Sequence, residues 1–235
     1  DTAETFISQV SEFIRFEKSR FVENGFACDI VPWGWSPSLV HMLVKDGGDS
    51  SFLPNHETLD KIRFLSGRQR CVDVLSELSV VESTCGKAFC CYSMEDVKNY
   101  LQIYGKLILK SPWSGSGRGL CRVSPDVWSK NIEGWISRIL RTQGCVMAEP
   151  IYNKVCDFAM EFYSSPEGSV SFAGYSLFET DAFGNYKQNL LLSDDEIETR
   201  LLSYNISFDT LREVRRRLID ISVSYTHLTL PTNSL

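Results

Sequence analysis

Residues 107–120 read LILKSPWSGSGRGL. An apolar run, Leu107 to Leu109, ends in Lys110, and Gly115, Gly117 and Gly119 then alternate with Ser114, Ser116 and Arg118 before Leu120. A short apolar run bounded by turn residues reads as a buried strand, so the stretch predicts strand, lysine, glycine loop and returning strand. Glycines let the backbone adopt conformations closed to other residues and approach a ligand closely. Consecutive amide N–H groups in such a loop make a concavity for anions. Lys110 adds a compact positive charge and Arg118 a planar fork, both suited to phosphate. Taken alone, the loop reads equally well as a flexible hairpin with a solvated lysine.

Order and spacing separate this loop from three other phosphate loops. A P-loop places its lysine after the glycines, followed by Ser or Thr, whereas Gly86-Lys87 and Gly105-Lys106 are followed by Ala88 and Leu107. Rossmann glycines open a helix, and here an apolar strand-like run follows. Protein kinases also put the lysine after the glycines.

Working outward, Ser93 with Asp96 predicts a capping box, Val97, Leu101 and Tyr104 one helical face, and Gly105 the C-terminal cap. Ser124-Pro125 predicts a helix start, with Trp128, Ile132, Trp135, Ile136 and Ile139 as its core stripe and Gly144 as its end. CVMAEPI, residues 145–151, reads as a strand. VCDFAMEFY, VSFAGYSLFET and YKQNLLL read as antiparallel strands with turns at Pro166-Glu167-Gly168 and Phe183-Gly184-Asn185. Ser193 with Glu196 predicts a second capping box, and Leu211, Val214, Leu218 and Ile221 a final helix. Toward the N-terminus, residues 5–21 read as an amphipathic helix, and Leu59, Ile62, Leu65 and Val72, Leu75, Leu78 as two faces separated by Gly67. The expected class is α+β, a helical first part followed by a small antiparallel sheet with a helix packed on it.

Composition bounds the function. With 235 residues, 43% hydrophobic, 23% charged and a net charge of −6, the chain fits a globular domain with no general attraction to nucleic acid or anionic lipid. No apolar run approaches the roughly 20 residues that span a bilayer. The eight cysteines (Cys28, Cys71, Cys85, Cys90, Cys91, Cys121, Cys145, Cys156) make no C-x-x-C and have no histidine at zinc spacing, so they read as reduced, mostly buried thiols of a cytoplasmic protein.

The order strand–lysine–glycine loop–strand–helix–strand ending in MAEP resembles the lid of the ATP-grasp superfamily. PWGWS, IRFLSGR, KSPWSGSGRGL, AEPIYNKVCDFAMEF and GYSLFETDAFGNYKQNLL resemble a bacterial branch of it, over residues 31–221. The resemblance implies that Lys110 contacts nucleotide phosphates and that the loop Ser114, Gly115, Ser116, Gly117, Arg118 and Gly119 closes over them. It further implies that the hinge Ala148, Glu149, Pro150 and Ile151 meets adenine, and that Asp157 meets the ribose. Arg68 is the candidate for a further basic contact to the α/β phosphates, with Arg70 second. The activity implied is ATP-dependent ligation of a small carboxylate to an amine through an acyl phosphate. An ATP-grasp kinase or phosphotransferase, or a non-catalytic interaction protein with a degenerate site, are the alternatives.

Such catalysis uses Mg²⁺ held by carboxylates and an asparagine beyond the lid, and no such pattern follows Leu192. The terminal stretch from Val223, VSYTHLTLPTNSL, resembles a translated sequencing adapter. The expectation is therefore a fragment cut before its metal site and inactive by itself. Its parts are residues 1–92 before the lid, 93–192 as lid, 193–222 as helices leading onward and 223–235 as adapter-derived tail.

Overall fold

The computed structural model describes residues 30, 32, 34–115, 119–165, 167–181 and 186–226. It divides into two compact units, up to Leu59 and from Asp60. In the first, Ser36 is extended and its hydroxyl accepts the Leu39 N–H, starting α1 (Pro37–Lys45) with Pro37 at the first helical position. The expected helix over residues 5–21 lies outside the described residues. The boundary between the units falls inside α2 (His56–Leu65).

The second unit begins with the rest of α2 and with α3 (Arg70–Leu78). Four strands, β1 (Phe89–Cys91), β2 (Leu107–Lys110), β3 (Leu120–Val123) and β4 (Val146–Pro150), form an antiparallel sheet in the order β1-β4-β2-β3. Two helices cross it, α4 (Met94–Tyr104) and α5 (Lys130–Gln143). The Ser93 hydroxyl accepts the Asp96 N–H while the Asp96 carboxylate accepts the Ser93 N–H, which closes the capping box of α4. Gly105 at φ 74° and Gly144 at φ 81° end α4 and α5, each N–H returning to the carbonyl four residues back.

Alternation along the strands sorts the sheet into two faces. Cys91, Leu107, Leu109, Val123, Val146 and Ala148 pack against Val97 and Leu101 of α4 and Ile136 and Ile139 of α5. Burying a side chain of this size stabilises by roughly 1.5–3 kcal/mol. On the other face, Val72 and Leu75 of α3 pack against Ala88, Cys90, Cys145 and Met147. Lys110 and Glu149, out of phase with Leu109 and Ala148, project on the α3 side.

A separate sheet follows, β5 (Asp157–Ser164), β6 (Val170–Thr180) and β7 (Tyr186–Leu190), in the order β5-β6-β7 and antiparallel throughout. Ser193 and Glu196 close a second capping box on α6 (Asp194–Ser203). Ile197 and Leu201 of α6 and Leu211 of α7 (Phe208–Thr226) pack against Tyr175 and Leu177 of β6. The turn expected at residues 183–185 lies outside the described residues.

Three features depart from expectation. The antiparallel strands form two sheets instead of one. Ser124-Pro125 makes a turn, with the Val127 N–H on the Ser124 carbonyl at 3.2 Å, and Ser129 is the cap that opens α5. Helix α7 continues to Thr226, past Ser222, because no glycine or proline interrupts it before Pro231.

Candidate functional site

Lys110 is the last residue of β2, and the register pairs it with Met147 while Ile108 pairs with Glu149. Lys110 and Glu149 are therefore diagonal neighbours on one face. Their Nζ and Oε2 atoms lie 2.6 Å apart, with the side chains 24% and 23% exposed. This partly buried ion pair is the centre of the site.

The loop after Lys110 is closed at its base and held from outside. Ser111 is buried, and its N–H donates to the Gly119 carbonyl at 2.9 Å. Gly119 adopts φ 70°, and a Cβ there would stand 2.7 Å from Ser111 Oγ and 2.8 Å from Ser114 Oγ. Only glycine fits that close approach. Arg68, just before α3, donates through Nη1 to the Ser111 carbonyl and to Ser114 Oγ, both at 2.6 Å. The Arg68 N–H also donates to the Pro112 carbonyl at 3.1 Å. Trp113 anchors the other side, its N–H on Gln143 Oε1 at 3.0 Å and its Nε1 on the Arg63 carbonyl at 2.9 Å. Ser116, Gly117 and Arg118 lie outside the described residues.

Beyond Ala148, Glu149 and Pro150 on β4, the Ile151 N–H is committed to the Lys106 carbonyl at 3.2 Å. The Tyr152 hydroxyl donates to the Cys85 carbonyl at 2.7 Å. Asp157 opens β5, and its Oδ2 accepts from Lys154 Nζ at 2.5 Å and from Thr180 Oγ1 at 2.8 Å. Lys154 Nζ also donates to Thr180 Oγ1 at 2.6 Å, which completes a three-membered network.

The structure thus gathers Lys110, Glu149, Ser114, Gly115, Gly119 and Arg68 around one end of the first sheet. Arg70 stays apart, paired with Asp73 at 3.0 Å and stacked 4.1 Å over the Phe64 ring. Close by, desolvation of its sulfur pushes the Cys71 thiol up although the residue as a whole is exposed, the Glu149 charge adds to that, and Lys110 and Arg68 oppose it. Cys71 and Cys85 are exposed, against the expectation of mostly buried thiols, while Cys91 and Cys145 are buried. Among the described residues no three His, Cys, Asp or Glu side chains converge, and no helix is long and apolar enough to cross a membrane.

No protein-family profile matches this chain, and no curated protein does. Solved structures are similar in fold. A biotin carboxylase from Campylobacter jejuni in a beta-gamma-ATP complex matches with a TM-score of 0.54 at 14% identity, over 80% of this chain and 40% of that one. The biotin carboxylase domain of a 2-oxoglutarate carboxylase from Hydrogenobacter thermophilus, with MgADP, ADP and bicarbonate, matches with a TM-score of 0.52 at 13% identity, over 80% and 39%. A pyruvate carboxylase from Rhizobium etli gives a TM-score of 0.55 at 14% identity, over 81% and 16%. The chain therefore spans two-fifths or less of the length of these proteins.

Proposed function

We propose that this chain, whose fold is in part that of the ATP-grasp enzymes, binds ATP on the sheet face that carries Lys110 and Glu149. The whole protein is then an ATP-dependent ligase joining a small carboxylate to an amine. The observation that carries the reading is the Lys110–Glu149 pair at 2.6 Å, set beside a loop whose base is pinned by Arg68. A cation and an anion side by side match a nucleotide, which offers phosphate oxygens to one and the adenine amino group to the other.

In this reading Lys110 and the loop from Ser114 to Gly119 meet phosphates. The close approach at Gly119 is the kind of tight backbone curvature that turns amides toward an anion. Arg68 commits Nη1 to the loop, so Nε and Nη2 are the donors left for phosphate. Ala148, Pro150 and Ile151 border the adenine. Because the Ile151 N–H is held by Lys106, the hinge donor is assigned to Tyr152. Asp157 meets ribose hydroxyls by exchanging its bonds with Lys154 and Thr180. Residues 93–192 form the lid in this scheme, with 193–222 leading onward.

When bound, ATP supplies the phosphoryl group that converts a carboxylate into an acyl phosphate open to an amine, with positioning and charge stabilisation as the protein's share. The described residues offer no carboxylate cage that fits Mg²⁺. In this scheme the ion's ligands lie downstream of the lid, and this chain alone is expected to bind nucleotide without turnover.

The test is thermal unfolding with and without ATP, for the parent and for Lys110→Ala. Ligand at a hundredfold its Kd stabilises by about 2.7 kcal/mol. A clear shift in the parent that is lost in a folded Lys110→Ala variant is expected. An unshifted parent, or equal shifts in both, would overturn the reading.

A further inference from the structure

Helix α7 carries arginines at 212, 215, 216 and 217, and carboxylates of the same helix meet all but one of them. Arg216 pairs with Glu213 and Asp220, both at 2.8 Å, and Arg217 pairs with Glu213 at 2.7 Å. Arg212 reaches Asp209 at 3.6 Å, with both side chains largely exposed. Arg215 is in no ion pair among the described residues. Its guanidinium lies 4.8 Å over the Phe172 ring, and that ring meets Tyr175 edge to face with centroids 4.8 Å apart.

Arg215 also lines a cavity of about 230 Å³, together with Tyr175, Glu198, Phe208, Leu211 and Arg212. Residues 208, 211, 212 and 215 share one face of α7 at helical spacing. Tyr175 and Leu211 are buried, while the Phe208 ring is 44% exposed. Glu198 on α6 is half-buried and, like Arg215, is in no ion pair among the described residues, although both charges share this one wall. Burial pushes the Tyr175 hydroxyl up, Glu198 adds to the rise and Arg215 opposes it, consistent with a hydroxyl near both charges. Alternation along the second sheet turns Tyr175 and Leu177 toward the helices with Phe158 and Met160, and turns Asp157, out of phase with Phe158, the other way. The cavity therefore lies on the opposite side of this sheet from Asp157.

We propose that this cavity binds a free α-amino acid with an apolar side chain. Such a ligand carries both charges on one carbon, and so bridges a guanidinium and a carboxylate that do not pair with each other. Arg215 takes the α-carboxylate through its planar fork, which suits two parallel hydrogen bonds. Glu198 accepts from the α-ammonium, and Arg212, one turn before Arg215, adds positive charge to the wall. The apolar side chain covers Phe208 and removes an exposed ring from water. A simple anion would leave Glu198 unmet, and a simple amine would leave Arg215 unmet. Pockets for drug-sized ligands run to roughly 300–1,000 Å³, so about 230 Å³ suits a molecule of amino-acid size.

The test is isothermal titration calorimetry on the full chain with L-leucine, isocaproate and isoamylamine, the last two being leucine without its ammonium and without its carboxylate. One leucine per chain is expected, with each half-ligand bound about tenfold more weakly or worse. Glu198→Gln keeps the side-chain size and so the fold, and it should weaken leucine by about tenfold or more. Arg215→Gln, checked as folded by circular dichroism, should do the same. Glu213→Gln removes a carboxylate of α7 outside the cavity and should bind leucine as the parent does. No binding of millimolar leucine by the folded parent, equal binding of either half-ligand, or unchanged affinity in Glu198→Gln would overturn the assignment.

Discussion

Gly119→Ala is the sharpest probe of the loop. Gly119 sits at φ 70°, where a residue with a side chain costs about 1–2 kcal/mol. The added methyl would also stand 2.7 Å from Ser111 Oγ, 2.8 Å from Ser114 Oγ and 2.9 Å from Ser114 Cβ. Neither serine yields easily, since Ser111 is 3% exposed with its N–H on the Gly119 carbonyl and Ser114 is tied to Arg68. Overpacking of that kind typically costs about 1–3 kcal/mol. The two contributions together give an expected loss of about 3 kcal/mol, or about 6–12 °C in Tm for a unit of this size. Urea denaturation of parent and variant reads the loss as a lower midpoint at unchanged slope. Adding Ser114→Ala removes only the Oγ contact, leaves the Ser111 Oγ and Ser114 Cβ contacts and the backbone strain in place, and deletes the bond from Arg68, so the double variant should show no recovery toward the parent. A Gly119→Ala variant within about 0.5 kcal/mol of the parent would refute the geometry of the loop base.

Two more outcomes follow from side chains away from the sheet core. Arg68→Ala removes two charge-assisted bonds to the loop, and solvent replaces part of them, so a loss of about 1–2 kcal/mol by denaturation is expected, with proteolytic cleavage near Ser114 rising alongside. Glu213 on α7 is held at about 2 by Arg216 first and then Arg217, below the ordinary carboxylate range. Its stabilising effect is present above about pH 4.5 and is lost as pH falls through about 2. Far-UV circular dichroism should therefore show the parent losing more helix than Glu213→Gln across that window, with the two alike below it.

Much of the second unit was legible because its signals are local. A capping serine with an acidic residue three positions on, a glycine after the last helical turn and a short apolar run each name an element without reference to the rest of the chain. Ser124-Pro125 misled for an equally local reason, since serine followed by proline suits the first two places of a turn as well as a helix start. The partners of the strands were not legible. Period-two alternation marks β5, β6 and β7 as strands but does not say that they stop short of the first sheet. The same limit hid the hold of Arg68 on Ser111 and Ser114, which joins residues 43 and 46 positions apart. Nor does any pattern announce that Lys154 and Thr180 converge on Asp157.

The central place of β4 has a consequence for how the molecule comes into being. Among the described residues β1 pairs with β4 alone, and β2 needs β4 on its inner edge, so the last strand of this sheet to be made is the one that completes both. A growing chain that has passed Val123 but not reached Pro150 holds β2 and β3 as a lone hairpin, with β1 waiting for a partner more than fifty residues away. Sequence separations of that order slow folding, and they leave strand edges open to other chains in the meantime. Lys110 also waits through that interval, because its counter-ion arrives with the same strand that closes the sheet. In a ribosome-arrest series, the folded sheet and the Lys110–Glu149 pair are expected to appear together, at a single chain length.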